Sequence, residues 1–282
     1  MEYSVSNAHE NQIENENKEK LVLEVKTVQS SAFRILIEAK KEILTDANLQ
    51  FDETGIKVIA MDASHTVLVH LKLEAKNFES YYCPNKMILG VNMLNFFKLI
   101  KTMSNNDTLT LYVEQEDTNH LGIKIENGEK NTITTYKLNL MDLNDENIEI
   151  PPAQFSSVIT MPSSDFQKIC RDMYNLADTI EIKSCGSTLH FACKGDFAQQ
   201  ETIIGESSSN GMSFLKKSDS SEEIVQGIFA LKHLVLFTKC TNLCNSIEMY
   251  LKNDYPLIIQ YSVASLGNIK LCLAPQVNND NY

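Results

Sequence analysis

The chain has 282 residues, 43% of them hydrophobic, with 25 Lys and Arg against 37 Asp and Glu for a net charge of −12. That length and apolar content can fill two cores, and an evenly spread charge of this sign would repel nucleic acid. No apolar run approaches the ~18–20 residues that span a bilayer and the N-terminus has no apolar signal core, so the expectation is a soluble intracellular protein.

Residues 1–20 are rich in Asn and Glu and are expected to be a disordered extension. A first helix is expected over 30–42 (SSAFRILIEAKKE), where Phe33, Leu36 and Ile37 recur at helical spacing behind a Ser pair suited to N-capping. A strictly alternating strand follows at 66–74. A second helix is expected at 91–103, carried by Phe96, Leu99, Ile100 and Met103, and then come a polar turn (SNND, 104–107) and a strand at 109–113.

The stretch NLMDLNDENIEIPP (139–152) fits neither period. Its apolar residues Leu140, Met141, Leu143, Ile148 and Ile150 are interleaved with four acids and closed by Pro151 and Pro152, which reads as an extended strap. Beyond it lie a third helix at 162–174 (PSSDFQKICRDMY), again behind a Ser pair, a strand at 179–182, a fourth helix at 230–241 (ALKHLVLFTKCT) and a strand at 257–261. The expected fold class is α+β, antiparallel sheet with a few helices. Seven cysteines, an odd number set partly in apolar runs, are expected to be reduced.

The charge is unevenly distributed. The four helical segments hold nine bases and four acids, a net +5, which leaves −17 for the rest of the chain. Arg34 and Lys41, and Lys232 and Lys239, are seven apart; Lys98 and Lys101, and Lys168 and Arg171, are three apart, so each pair should share a helix face. One such stripe would simply solvate a helix, but every helix carries one.

The order also repeats. SSAFRILIEAKKEI (30–43) parallels SSDFQKICRDMYNL (163–176) at an offset of 133, and MLNFFKLIK (93–101) parallels LKHLVLFTK (231–239) at 138. The strap falls between the copies. The expected organisation is two similar domains, 21–138 and 155–277, each of antiparallel sheet with two helices, joined by a connector at 139–154 and followed by a tail at 278–282.

MDASHTVLVHL (61–71), LGVNMLNFFKLIK (89–101), YKLNLMDLNDENIEIP (136–151), MPSSDFQKICRDM (161–173) and LAPQV (273–277) together resemble the eukaryotic-type sliding clamp family, proliferating cell nuclear antigen, in register from about residue 22 to 277. The resemblance implies a homotrimer closed head to tail around duplex DNA without sequence preference, with Arg34, Lys41, Lys98, Lys101, Lys168, Arg171, Lys232 and Lys239 facing the channel. It implies partners as well: a DNA polymerase, a clamp loader and clients bearing a short glutamine-plus-aromatic motif, in the nucleus or at a viral replication site. The motif would dock in a groove at Met61, His65, Thr66 and Leu68, walled by Ile148 and Ile150 of the connector. Its far side would be Pro256, Cys272, Ala274, Pro275, Gln276 and Val277. The strand at 131–139, including Tyr136, should pair antiparallel with that at 197–205 of the next subunit. A subunit of a heterotrimeric checkpoint-type clamp and a monomeric DNA-binding processivity factor are the alternatives.

The chain departs from the family pattern in places. Ile35 stands where a second base is common, Cys272 and Gln276 replace an aromatic residue and a lysine, and the turn Ser184–Ser187 lacks the lysine that is modified in the family.

No enzyme or cofactor is read here. Asp62, Ser64 and His65 crowd into four residues, too close for a relay, and Cys240 and Cys244 have no second pair at zinc spacing. His233 stands alone, and there is no glycine-rich phosphate loop.

Overall fold

The computed structural model describes residues 20–144, 148, 153–207, 209, 211–218 and 223–276. The expected N-terminal extension (Lys20 apart), Ile150, Val277 and the tail at 278–282 lie outside the described residues.

The N-terminal half runs β1 (Leu21–Thr27), α1 (Ser30–Ile43), β2 (Asp46–Asp52), β3 (Gly55–Met61), β4 (Val67–Glu74), β5 (Ser80–Tyr82), β6 (Met87–Asn92), α2 (Met93–Ile100), β7 (Asp107–Glu114), β8 (Asp117–Asn127) and β9 (Thr132–Asn139). The C-terminal half runs β10 (Ser157–Pro162), α3 (Ser163–Tyr174), β11 (Thr179–Cys185), β12 (Thr188–Lys194), β13 (Gln199–Gly205), β14 (Ser213–Lys216), β15 (Ile224–Ala230), α4 (Leu231–Phe237), β16 (Ser246–Leu251), β17 (Leu257–Val263) and β18 (Gly267–Leu273). The two orders are the same, as the repeat in the sequence requires.

The strands form three antiparallel sheets, in the orders β5-β1-β7-β8-β9, β14-β10-β16-β17-β18-β4-β3-β2-β6 and β13-β12-β11-β15. The middle sheet is shared by the two halves and joined where β18 meets β4, from Gly267 opposite Leu73 to Leu273 opposite Val67. By position in the repeat, β18 is the counterpart of β9 and β4 the counterpart of β13. The counterparts β9 and β13 are both free sheet edges.

The central strands bury alternate residues under the helices, such as Val67, Val69, Leu71 and Leu73 on β4. The helices make one continuous layer: α1 packs on α2 and on α4 with the 3-10 turn after it, and α3 packs on α4. The rings of Phe33 and Phe96 meet edge to face at 6.2 Å where α1 crosses α2.

Three helix readings need correction. Neither Ser pair caps its helix: Gln29 and Pro162 hold the N-cap positions without a side-chain bond. Ser30 and Ser163 are buried in the first turn instead, and their hydroxyls donate to the Ser104 carbonyl (3.0 Å) and the Cys244 carbonyl (2.6 Å) in the loops after α2 and α4. The fourth helix tightens at Thr238 into the 3-10 turn Thr238–Leu243. There the Thr238 and Thr241 hydroxyls each donate, at 2.7 Å, to the carbonyl three residues back. Lys239 therefore lies on that turn and does not share a regular helix face with Lys232.

The third correction is Lys40, counted among the nine helical bases. It is 0% exposed, and its Nζ has no hydrogen-bond partner among the described residues. It stands seven, four and three residues from Phe33, Leu36 and Ile37, so α1 carries it into the core, where burial lowers its pKa to about 7, partly offset by the Cys240 thiol.

Candidate nucleic-acid interface and partner groove

Of the eight bases expected to face DNA, Lys98, Lys101, Lys168, Arg171, Lys232 and Lys239 are exposed, and none forms an ion pair with a described residue. Their helices turn Met93, Phe96 and Ile100, Phe166 and Met173, or Leu231 and Leu234 toward the sheets, which leaves the bases on the outer side of the helical layer. Lys101 sits at the C-cap of α2, just past its last helical residue. Arg34 and Lys41 are half-buried and already engaged: Arg34 is 4.0 Å from Glu38, while Lys41 pairs with Glu42 and lies 5.0 Å above the Phe97 ring. Six cations unpaired among the described residues and two partly neutralised ones outnumber the four exposed acids of these helices, Glu38, Glu42, Asp165 and Asp172, and give the layer a net positive charge.

The expected groove would lie around the turn between β3 and β4. The Asp62 carboxylate accepts from the backbone N–H groups of Thr66 (2.8 Å) and Val67 (2.7 Å), and the Ser64 hydroxyl donates to it. Burial pushes its pKa up, but these bonds outweigh burial and hold it below the usual carboxylate range. Asp62 and Ser64 thus shape a loop, and His65 sits exposed at its tip with φ 54°. The Ala274 N–H donates to the Thr66 carbonyl at 3.1 Å, drawing the C-terminal segment alongside.

On the outward face of the middle sheet Met61 faces Leu68, Leu68 faces Cys272 and Cys272 faces Ile258, one apolar row across four strands. Met61, Thr66, Leu68, Pro256, Ala274, Pro275 and Ile148 are half-buried, Gln276 is exposed and Cys272 is buried. Burial pushes the Cys272 thiol up to about 11. Ile258 and Tyr250 extend the row and went unread in the sequence. Their positions follow only from cross-strand register.

Gly90 was also missed. The connector leaves β9 by bonding Met141 N–H to the Gly90 carbonyl at 2.8 Å, and a Cβ on Gly90 would fall 2.2 Å from the Met141 carbonyl oxygen. Only glycine permits that approach. At the connector's other end Phe155 packs edge-on against Tyr250 (5.3 Å) and Tyr255 (5.7 Å).

This chain matches the family model of the proliferating cell nuclear antigen N-terminal domain over residues 22–147 and that of its C-terminal domain over 149–276. The chain belongs to the proliferating cell nuclear antigen family. It is 36% identical over 259 residues to a protein of Paramecium bursaria Chlorella virus 1 named "Probable DNA polymerase sliding clamp 1", covering 90% of this chain and 97% of that one. It is 31% identical over 264 residues to the proliferating cell nuclear antigen of Chaetomium thermophilum, covering 92% of this chain and all of the relative. Two departures from the proliferating cell nuclear antigen pattern now have a place in the fold. Ile35 is half-buried against the core, and Cys272 sits in the apolar row between Leu68 and Ile258.

Proposed function

We propose that three copies of this chain, the number the family implies, close head to tail into a ring that encloses duplex DNA. The chain acts as a DNA sliding clamp, a processivity factor that tethers DNA polymerase. The observation that carries the reading is the pair of free edges. β18 pairs with β4 inside the chain, and their counterparts β9 and β13 are left unpaired with Ile133 65% and Ile203 55% exposed. A seam the chain already makes once can be repeated between copies, and a heterologous contact of this kind closes when its rotation does. That one sequence carries both edges supports a homotrimer over the heterotrimeric alternative.

The repeat also supplies a register. Ile269 lies opposite Leu71 in the internal seam. Ladder positions make Thr134 the counterpart of Ile269 and Thr202 the counterpart of Leu71. Thr134 of one subunit then faces Thr202 of the next, and Tyr136 faces Gln200.

Inside the ring, Lys98, Lys101, Lys168, Arg171, Lys232 and Lys239 would attract phosphate with Arg34 and Lys41 behind them, and enclosure keeps the clamp on DNA without base readout. On the outward face the row from Met61 to Cys272, with His65, Thr66, Ile148, Ile150, Pro256, Ala274, Pro275, Gln276 and Val277, would receive the glutamine-plus-aromatic motif of polymerase, loader and other clients. The work is done by enclosure and tethering, with no chemical step, at the site of DNA replication in a nucleus or a viral replication compartment.

The test is a Thr134→Cys, Thr202→Cys double variant under mild oxidation. Directly opposed strand residues have Cα atoms within disulfide reach, so covalent oligomers up to trimer should appear on a denaturing gel, and neither single variant should give them. Light scattering should return three times 31.9 kDa. A monomer mass with no crosslink refutes the ring. Retention on linear and circular DNA alike in high salt would favour the monomeric alternative.

A further inference from the structure

The apolar row from Met61 to Ile258 is one rung of a set. One rung along, on the same outward face, His70 lies opposite Lys270, and one rung beyond that Lys57 lies opposite Lys72. Same-face rungs are about 7 Å apart. Lys57 and Lys72 are therefore like charges set directly against each other, which destabilises a sheet unless something compensates it, and Lys270 adds a third amine one rung away on the same face.

The compensation inside the chain is partial. Lys57 has Asp52 at 2.8 Å, while Lys72 reaches Glu74 only at 3.9 Å and that carboxylate already holds Lys76 at 2.8 Å. Lys270 forms no ion pair with a described residue, and its amine lies 5.7 Å over the Tyr250 ring. Burial first, then the fields of Lys270, Lys72 and Lys57, hold His70 below the ordinary histidine range. In a chain of net charge −12 this strip is an outlier, and it begins one rung from Leu68 and Cys272.

We propose that the docking groove continues onto this basic strip, and that the client segments it takes carry acidic residues to one side of their apolar anchor. The inference rests on the groove described under the proposed function and adds the chemistry of the flank. Two rungs are about 13 Å, which some four extended peptide residues cover, so the acids belong within about four residues of the anchor. An acidic peptide is favoured over nucleic acid because the polar rung ends in Glu248, the strip is edged by Asp52 and Glu74, and the helices with the free bases lie under the opposite face of the sheet.

The experiment titrates the intact protein with synthetic peptides sharing one glutamine-plus-aromatic core, with neutral flanks, with two acids before the core, or with two acids after it. One acidic peptide should bind roughly five-fold or more tightly than the neutral one at about 50 mM salt, and the advantage should shrink at about 500 mM. A Lys72→Ser, Lys270→Ser variant should lose the advantage and keep its affinity for the neutral peptide. Lys270→Glu should turn the preference toward a basic flank. Lys72→Ser relieves the Lys57–Lys72 pair and Lys270 forms no ion pair with a described residue, so the variants should melt no lower than the parent. Equal binding of acidic and neutral peptides overturns the strip and leaves the groove standing. Failure of every peptide overturns the groove and the strip together, and displacement of the acidic peptide by a short DNA duplex reassigns the strip to nucleic acid.

Discussion

Replacing Lys40 with methionine should stabilise the protein by an amount that depends on pH. The amine is wholly buried where α1 of the N-terminal half meets the 3-10 turn carrying Cys240, and burial takes its pKa from 10.5 to about 7. The folded state therefore binds this proton less readily than the unfolded chain, and stability rises with pH between those two values. At about 1.4 kcal/mol for each tenfold change in proton affinity, the penalty is about 5 kcal/mol below pH 7, about 4 near pH 7.4, about 2 at pH 9 and nil above pH 10.5. Methionine has a similar unbranched stem and no charge to desolvate, so Lys40→Met removes the penalty while filling the same space. Urea denaturation at fixed protein concentration, run at pH 7.4 and pH 9, should show the variant ahead at both, with a gap roughly halved at the higher pH. A variant no more stable than the parent, or a gap that ignores pH, would refute a neutralised lysine in that core.

Three further outcomes are expected. Reversing Lys98 and Lys101 to Glu should cut clamp-dependent polymerase processivity while light scattering still returns the trimer mass, because both side chains are exposed and form no ion pair with a described residue. Ile148→Ala should weaken the client peptide by about 1 kcal/mol or more in calorimetric titration and leave the melting temperature nearly unchanged. Gly90→Ala should push the Met141 carbonyl away, and weaker peptide binding together with faster proteolysis between 141 and 153 would report the loosened connector.

The helices and the repeat were legible because a 3.6-residue apolar period survives in any context, and the two halves keep the same order over most of the chain. Lys40 was legible too. It falls on the Phe33, Leu36, Ile37 face of α1, but its charge was counted and its spacing was not. The Ser pairs misled because Ser30 and Ser163 have the right chemistry for a cap and lie one position inside the helix, with their hydroxyls turned to neighbouring loops. Met61, Leu68 and Cys272 could be named from resemblance, yet their alignment in one row with Ile258 depends on register between strands far apart in sequence. The same holds for the lysine rungs and for Gly90, whose role is fixed by a carbonyl some fifty residues downstream.

The seam between β18 and β4 bears on how such a ring would come apart. Half of the seams in the proposed assembly join strands of one chain, held at high effective concentration by the polypeptide itself, so a strand that lets go is recaptured before it diffuses away. The seams between β9 and β13 have the same topology and no tether. Dilution or a loading factor would therefore act first on the untethered set, and the ring would open as a gate between subunits while each subunit kept its own join intact. A covalent link across a single β9–β13 boundary would give that boundary the persistence of the internal one, and linking all of them would leave the clamp without a door.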